Sequence, residues 1–410
     1  MRTKICVILL FAVPCFAYTW TPYGPDEAGV NGWLFHQDPP VYSVLCTTTG
    51  LQLDQGSGWI PYSYGDLPCE GATELDAQRI LVALGDSSWS DGVYAFDLTT
   101  HQFQVATWCI HPRFLVHYPD LGVYYAGDDF GLQVSPNGFN WTYVSGFGEP
   151  CFSMAQHGDH LVVAADTLVY WSGDAGSTWN QAEPGTPFLR GLAFTQDGTL
   201  VGAAPGKWTG SGVWTSTDFG NTWEHEFWSL FMTSVAVDWG GTAFVGWNNP
   251  GSGGFQDCGV AMWNPGSDEL VYLNAALPET LVNALGSNPL VDCPSIMCGT
   301  VAGAYYLTGY LAAPELSIQQ TGPSTARLSW APSGSPTFVD IYRSMDAYLT
   351  GSGPAWATVD GTLVQYDVTD GIGDESVDYY YVVRGRDATQ TSPRSQAVGD
   401  ADFLLVNPPR

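Results

Sequence analysis

Lysine is almost missing. Lys4 and Lys207 are the only two in 410 residues, and all 12 basic side chains face 41 acidic ones, for a formal net charge of −29. Binding to nucleic acid or to an anionic membrane surface without sequence preference needs clustered Lys and Arg that displace counterions, so both partners are excluded. Charged residues of either sign make up only 13% of the chain against 45% apolar residues, which is not the composition of a disordered segment. Past the first residues no apolar run reaches transmembrane length, so no membrane insertion of the mature chain is expected. Also absent are a GxSxG elbow, a P-loop, a dinucleotide fingerprint, and the CxxC and HExxH spacings of zinc sites. The 30 Asp residues leave calcium open as a cofactor, but no loop spells an EF-hand, and no other cofactor is implied.

What is present begins with an address. Arg2 and Lys4 precede the apolar run Ile5 to Val13, and Cys15-Phe16-Ala17 offers small residues at the −3 and −1 positions of a cleavage site. This predicts a secretory signal peptide over residues 1–17 and a secreted or extracytoplasmic protein, in the periplasm or at the cell surface. Seven cysteines follow it: Cys46, Cys69, Cys109, Cys151, Cys258, Cys293 and Cys298. Export permits disulfides, and the odd number leaves at least one thiol unpaired or intermolecular. Cys293 and Cys298 are the closest pair, and buried free thiols are an equal alternative.

The middle of the chain repeats. Strand-like segments start at Gly50, Gly92, Gly131, Leu168, Gly212, Gly259 and Gly303, at intervals of 42, 39, 37, 44, 47 and 44 residues. A second apolar segment precedes most of them, such as Leu81-Val82-Ala83 and Leu161-Val162-Val163, with Gly, Asn and Asp turns between. A period near 40 residues with several strands per unit predicts a β-propeller of about seven blades over 18–311. The last anchor lacks room for a fourth strand, and the stretch around Gly29–Phe35 is expected to supply it.

Two units carry a sharper signature. Residues 172–179 and 216–223 both read Ser-x-Asp-x-Gly-x-Thr-Trp, on Ser172, Asp174, Gly176, Trp179 and on Ser216, Asp218, Gly220, Trp223; residues 135–141 hold a shortened form. This resembles the Asp box, or BNR repeat, of sialidase-like propellers. Its residue types suit a turn: Asp and Ser side chains accept backbone N–H groups, Gly permits positive φ, and Trp covers an apolar gap. A structural role for these residues is favoured over a catalytic or calcium-binding one, and the resemblance implies a place between the two outer strands, away from the ligand face.

Periodicity changes after Pro314. Runs at Arg327–Trp330, Val339–Arg343 and Tyr379–Gly385 alternate at sandwich spacing. The order resembles a fibronectin type III domain over 312–400, with Trp330 matching the core tryptophan and Tyr379 the tyrosine corner. Residues 401–410 read as a tail.

With the inner strand first in each blade, the loops between second and third strands share the channel-mouth face with the loops between blades, where binding residues collect. That places Trp89, Trp108, Arg113, Arg190, Trp208, Trp228 and Trp247 as ligand-binding candidates. Arg113 and Arg190 each stand seven residues before an Asp, so both are expected on one face. The alternative reading makes the tryptophans caps of blade cores. A glycoside hydrolase would draw paired carboxylates from Asp86, Asp91, Asp128, Asp129 and Glu149. Sialidases bind their substrate carboxylate with three arginines, the first in an Arg-Ile-Pro motif that is absent here. Glucan-cleaving relatives often use two propellers, and this chain has one. The sequence therefore points to a non-enzymatic propeller that binds an extracellular glycan or protein, with a fibronectin-like spacer or adhesion module. A glycoside hydrolase and a structural part of an envelope assembly are the alternatives.

Overall fold

A computed structural model describes residues 19–25, 28–36, 41–86, 88, 90–195, 197–206, 210–227, 231–238, 242–248, 258–263, 270–274, 277–278, 281–287, 296–308, 315–322, 325–331, 338–344, 355–369, 380–386 and 398–399. The predicted signal peptide and the C-terminal tail lie outside them. Regular structure among these residues is β-strand except for a 3-10 turn at Asn274.

Between Thr19 and Thr308 the strands form seven four-stranded antiparallel sheets. Their first strands are Val30–His36, Cys69–Asp76, Phe114–Tyr118, Cys151–His157, Gly191–Phe194, Met232–Val237 and Val282–Ser287. Each of these touches the first strand of the next sheet, and the seventh touches the first, so they form a closed inner ring. The arrangement is propeller-like.

The second and third strands explain the run-like sequence pattern. Ile80 to Leu84 are all buried, because their sheet has a neighbour on each face. Ile80, Val82 and Leu84 pack with Val44, Cys46, Leu51 and Leu53 of the preceding sheet. Leu81 and Ala83 point the other way, onto Leu115, Tyr124 and Ala126 of the following one. Burial on both faces selects continuous apolar runs, whereas a one-sided strand would alternate. Five further clusters join the remaining neighbours, and the last, with Val30, Leu45, Met297 and Ala304, seals the seventh sheet to the first.

The closing strand differs from the expectation. Thr19–Tyr23 is the outermost strand of the seventh sheet, paired from Thr19↔Thr308 to Tyr23↔Ala304. The stretch expected in that place supplies the inner strand Val30–His36 instead. Thr-Trp-Thr-Pro-Tyr suits an edge, where Pro22 removes no ladder bond that the sheet interior needs. Trp20 turns inward, 4% exposed, and its Nε1–H donates to Leu273 O at 2.8 Å.

The Ser-x-Asp-x-Gly-x-Thr-Trp segments form turns between third and fourth strands, Val169–Ser172 to Asn180–Gln181 and Gly212–Ser216 to Glu224–Phe227. In the second, Ser216 Oγ accepts from Gly220 N at 2.8 Å, Asp218 Oδ1 accepts from Thr222 N at 2.8 Å, and Trp223 Nε1–H donates to Gly220 O at 2.9 Å. In the first, Ser172 Oγ accepts from Gly176 N and Asp174 Oδ1 from Thr178 N, and in the shortened copy Asn137 Oδ1 accepts from Asn140 N. Gly220 has φ +91°, and a Cβ there would lie 3.0 Å from Val162 Cγ1. Gly220→Ala is expected to cost about 1–3 kcal/mol, read by urea unfolding, with no change in ligand binding. An unchanged midpoint would show that the turn is not under this constraint.

Residues 315–399 hold a three-stranded sheet (Glu315–Gly322, Thr325–Ala331, Gln365–Val368) and a four-stranded one (Ala357–Asp360, Phe338–Ser344, Tyr380–Arg386, Val398–Gly399). They share one core, in which Leu328, Trp330 and Val368 of the first meet Ile341, Tyr381 and Val383 of the second. Tyr379 lies outside the described residues. The six described cysteines, Cys46, Cys69, Cys109, Cys151, Cys258 and Cys298, are all buried, and Cys46, Cys69, Cys109, Cys151 and Cys298 are free thiols. Cys293 is outside the described set.

Candidate functional site

The mouth of the ring is built from a repeated backbone irregularity. In five first strands the pairing with the second strand skips one residue, between Val30 and Gly32, Cys69 and Gly71, Cys151 and Ser153, Met232 and Ser234, and Val282 and Ala284. The skipped residues are Asn31, Glu70, Phe152, Thr233 and Asn283. A bulge leaves its residue unpaired and re-aims the side chain. Arg113 and Arg190 hold the matching places just before Phe114 and Gly191, with their backbone N–H groups on Gly127 O and Ala203 O, each at 2.8 Å. Five sheets thus give a bulged residue, and the other two a residue at the matching place that stays paired through its N–H. Some are linked: Asn283 Nδ2 donates to Asn31 Oδ1, and Asn31 Nδ2 to Glu70 Oε1, both at 3.3 Å.

Glu70, Arg113, Phe152, Arg190 and Thr233 line one cavity of about 510 Å³, together with His111, Phe188, Phe231 and the Pro205-Gly206 loop. His111 and Phe231 hold φ of +53° and +59°, a conformation that costs a non-glycine residue about 1–2 kcal/mol. Backbone strain of this kind gathers at functional sites.

The electrostatics are lopsided. Arg113 donates to Asp129 Oδ1 through Nε at 3.0 Å and Nη2 at 2.5 Å, and His111 Nδ1 lies 3.6 Å from Asp129 Oδ2. Arg190 has no carboxylate partner within ion-pair distance among the described residues. Its guanidinium carbon stands 3.4 Å from the Phe152 ring centroid and 4.8 Å from that of Phe188, while that of Arg113 is 4.4 Å from Phe152. Burial, and then the charge of Arg113, lower the Arg190 pKa to about 10, so it stays cationic at neutral pH. Burial pushes the Glu70 carboxyl up to about 7, against the opposing pull of Arg113.

The other sequence candidates fall elsewhere. Trp247, proposed as a loop residue, is 4% exposed in the strand Ala243–Asn248 and packs in a core with Met232 and Val245, so it shows no face to a ligand. Trp108 is 57% exposed at the end of the outer strand Phe103–Trp108 and does not line the cavity. Trp89, Trp208 and Trp228 lie outside the described residues. Among the carboxylates, Asp91 is buried and accepts from Ser88 Oγ at 2.7 Å and His111 N at 2.9 Å, which ties one sheet to the entry loop of the next. Asp128 is fully buried and accepts from Phe130 N, Gln133 Nε2 and Tyr143 OH at 2.8, 3.0 and 2.6 Å. Glu149 is held by Thr167, whose N and Oγ1 donate to Oε2 at 2.9 and 2.7 Å. Asp129 serves Arg113, and Asp86 is exposed. No two of these acids face one another across the cavity as a pair, since Glu70 is the only carboxyl among its described lining residues. Among the described residues no group of three or more His, Cys, Asp and Glu side chains is placed to hold a metal ion, and no helix is long and apolar enough to cross a membrane.

Glu70, Phe152, Phe188 and Phe231 were not among the sequence candidates. For Glu70 and Phe152 the signal was present as a recurring triplet of apolar residue, variable residue and small residue: Val30-Asn31-Gly32, Cys69-Glu70-Gly71, Cys151-Phe152-Ser153, Leu189-Arg190-Gly191 and Met232-Thr233-Ser234; Phe188 and Phe231 had no such mark.

No protein-family model matches the chain, and no curated protein matches it. Solved structures are similar in fold. The extracellular domain of a one-component system from B. thetaiotaomicron is 12% identical, with a TM-score of 0.55 over 91% of this chain and 53% of that one. The same domain, described as part of a hybrid two-component system, gives 12% and 0.56 over the same shares. A chain of the Mitotic Checkpoint Complex is 12% identical, with a TM-score of 0.51 over 74% of this chain and 95% of that one. The chain spans about half the length of the two Bacteroides structures. At this identity the likeness concerns the fold alone, an all-β propeller-like architecture.

Proposed function

We propose that this chain is an extracytoplasmic, non-enzymatic seven-bladed propeller of the Asp-box type that captures an extracellular glycan or protein ligand at its channel mouth, carried beside a fibronectin type III-like spacer. One observation carries this reading: five neighbouring sheets each bring one residue, Glu70, Arg113, Phe152, Arg190 and Thr233, to one cavity of about 510 Å³. That volume lies within the range of small-ligand sites. The repeated turns on Asp174 and Asp218 support the Asp-box assignment, and the three- and four-stranded sheets around Trp330 support the fibronectin-like one. Two similar structures are extracellular domains of signalling systems, which favours a location outside the cytoplasm and a receptor-like role. Binding is favoured over hydrolysis because Asp91, Asp128 and Glu149 are engaged in bonds that hold loops.

The test is retention of the mature chain on immobilised extracellular polysaccharides and surface proteins. Thr233→Trp, which fills the cavity from the sixth inner strand, is expected to abolish retention while leaving the melting temperature within a few degrees. Retention that survives this plug would move the binding site away from the mouth.

A further inference from the structure

We infer that the cavity recognises a monocarboxylate on a flat, apolar-faced body of about sugar size, with Arg190 as its anchoring cation. This rests on the reading of the channel mouth as the ligand site. In a chain with 41 acidic side chains, Arg190 sits half-buried with no carboxylate in ion-pair reach among the described residues. Arg113, beside it on the same phenyl ring, adds a second cation. Two neighbouring guanidinium groups in a partly desolvated place are unfavourable unless negative charge offsets them. Asp129 offsets one, and with Glu70 protonated the surplus is a single positive charge, which the ionised fraction of Glu70 lowers further.

That surplus sets the ligand class. A guanidinium presents paired N–H donors that match the two oxygens of a carboxylate. A dianion such as phosphate would meet the same cation but also the Asp129 carboxylate and the ionised fraction of Glu70. One negative charge is therefore the better match. In its protonated form Glu70 adds an O–H donor toward a carboxylate oxygen. The aromatic walls are Phe152, Phe188 and Phe231, which suit either the apolar face of a pyranose or an aromatic ring, with His111, Pro112, Pro205 and Thr233 completing the lining. Both bodies share the anchoring chemistry, and the choice between them belongs to the experiment.

The experiment is isothermal titration calorimetry of the mature chain with glucuronate, phenylacetate, glucose and inorganic phosphate. Wild type, Arg190→Gln and Arg190→Lys are compared, each with its melting temperature. At least one of the two carboxylates is expected to bind more tightly than glucose and phosphate, and which one binds tells a sugar body from an aromatic one. Arg190→Gln is expected to weaken it by about ten- to a hundredfold, with Arg190→Lys intermediate because the charge remains and the fork is lost. Should Arg190→Gln melt early, the Lys variant carries the comparison. Glucose or phosphate binding as tightly as the carboxylates would overturn the inference, as would an Arg190→Gln affinity equal to wild type. Carboxylates that fail to bind while retention sensitive to Thr233→Trp persists would remove the ligand class and leave the mouth as the site. Loss of both removes both.

Discussion

Trp20→Ala is expected to lower the unfolding free energy by about 3–5 kcal/mol, the largest effect of any single truncation considered. The indole is 4% exposed and packs in the cluster that joins the sixth and seventh sheets, beside Leu273, Leu307 and Tyr305. Removing it leaves a cavity and strips Leu273 O of a donor at 2.8 Å. The position matters as much as the volume. Thr19–Tyr23 is the one strand of its sheet that comes from the other end of the propeller sequence, so its docking joins first to last. Trp20→Phe keeps most of the packing and loses the N–H bond, which should cost about 1 kcal/mol from that bond. Trp108→Ala, at an exposed position, should stay within about 0.5 kcal/mol of wild type. Urea unfolding of the three variants checks the order. Equal losses for Trp20→Ala and Trp108→Ala would show that the closing strand adds nothing to global stability.

Glu70→Gln is expected to stabilise the protein at alkaline pH and to do little in acid. The folded carboxyl titrates at about 7, against an ordinary 4.5. A raised carboxyl pKa means that folding favours the protonated form. The favourable contribution of this group is complete below pH 4.5 and is lost as pH rises through 7. Above pH 7 the buried carboxylate costs about 2–3 kcal/mol relative to the same group in the unfolded chain. Glutamine keeps an acceptor for Asn31 Nδ2 and carries no charge at any pH. The difference in unfolding free energy between variant and wild type should therefore open by about 2–3 kcal/mol between pH 4.5 and pH 8. Comparing the two proteins at each pH cancels the opposite trend of Asp76, Asp97 and Asp218, whose pKa values are lowered. A constant difference would mean that Glu70 is solvated in the folded protein.

The propeller-like ring was readable because its cause is local. Doubly buried strands must be apolar throughout, and glycine-marked turns must separate them, so Leu81-Val82-Ala83 and Gly92-Val93-Tyr94 announce themselves at regular spacing. The closing strand was not readable in the same way. Thr19–Tyr23 and Val30–His36 are both edge-compatible segments near one end, and their places depend on partners more than 250 residues away. The site was only half readable. Arg113 and Arg190 stood out because basic residues are rare. The tryptophans drew notice by size, yet Trp247 is a core residue and Trp108 does not line the cavity. What selects the mouth residues is a bulge, a displacement of one residue in register, which leaves no trace in hydrophobicity. It appears only when the units are overlaid and a small residue is seen to follow a variable one.

The seven bulge-like positions also separate two kinds of change. The apolar and small residues on either side, such as Cys69 and Gly71 or Met232 and Ser234, belong to the ladder and the core, while the residue between them belongs to neither. Replacing Asn31, Glu70, Phe152, Arg190 or Thr233 leaves the backbone pairing of its sheet intact. The mouth behaves as seven single-letter registers, of which Asn283, Asn31 and Glu70 are tied by hydrogen bonds and the others stand singly. A lineage that kept the scaffold and altered only these letters would move from one ligand to another in single steps, each of them foldable.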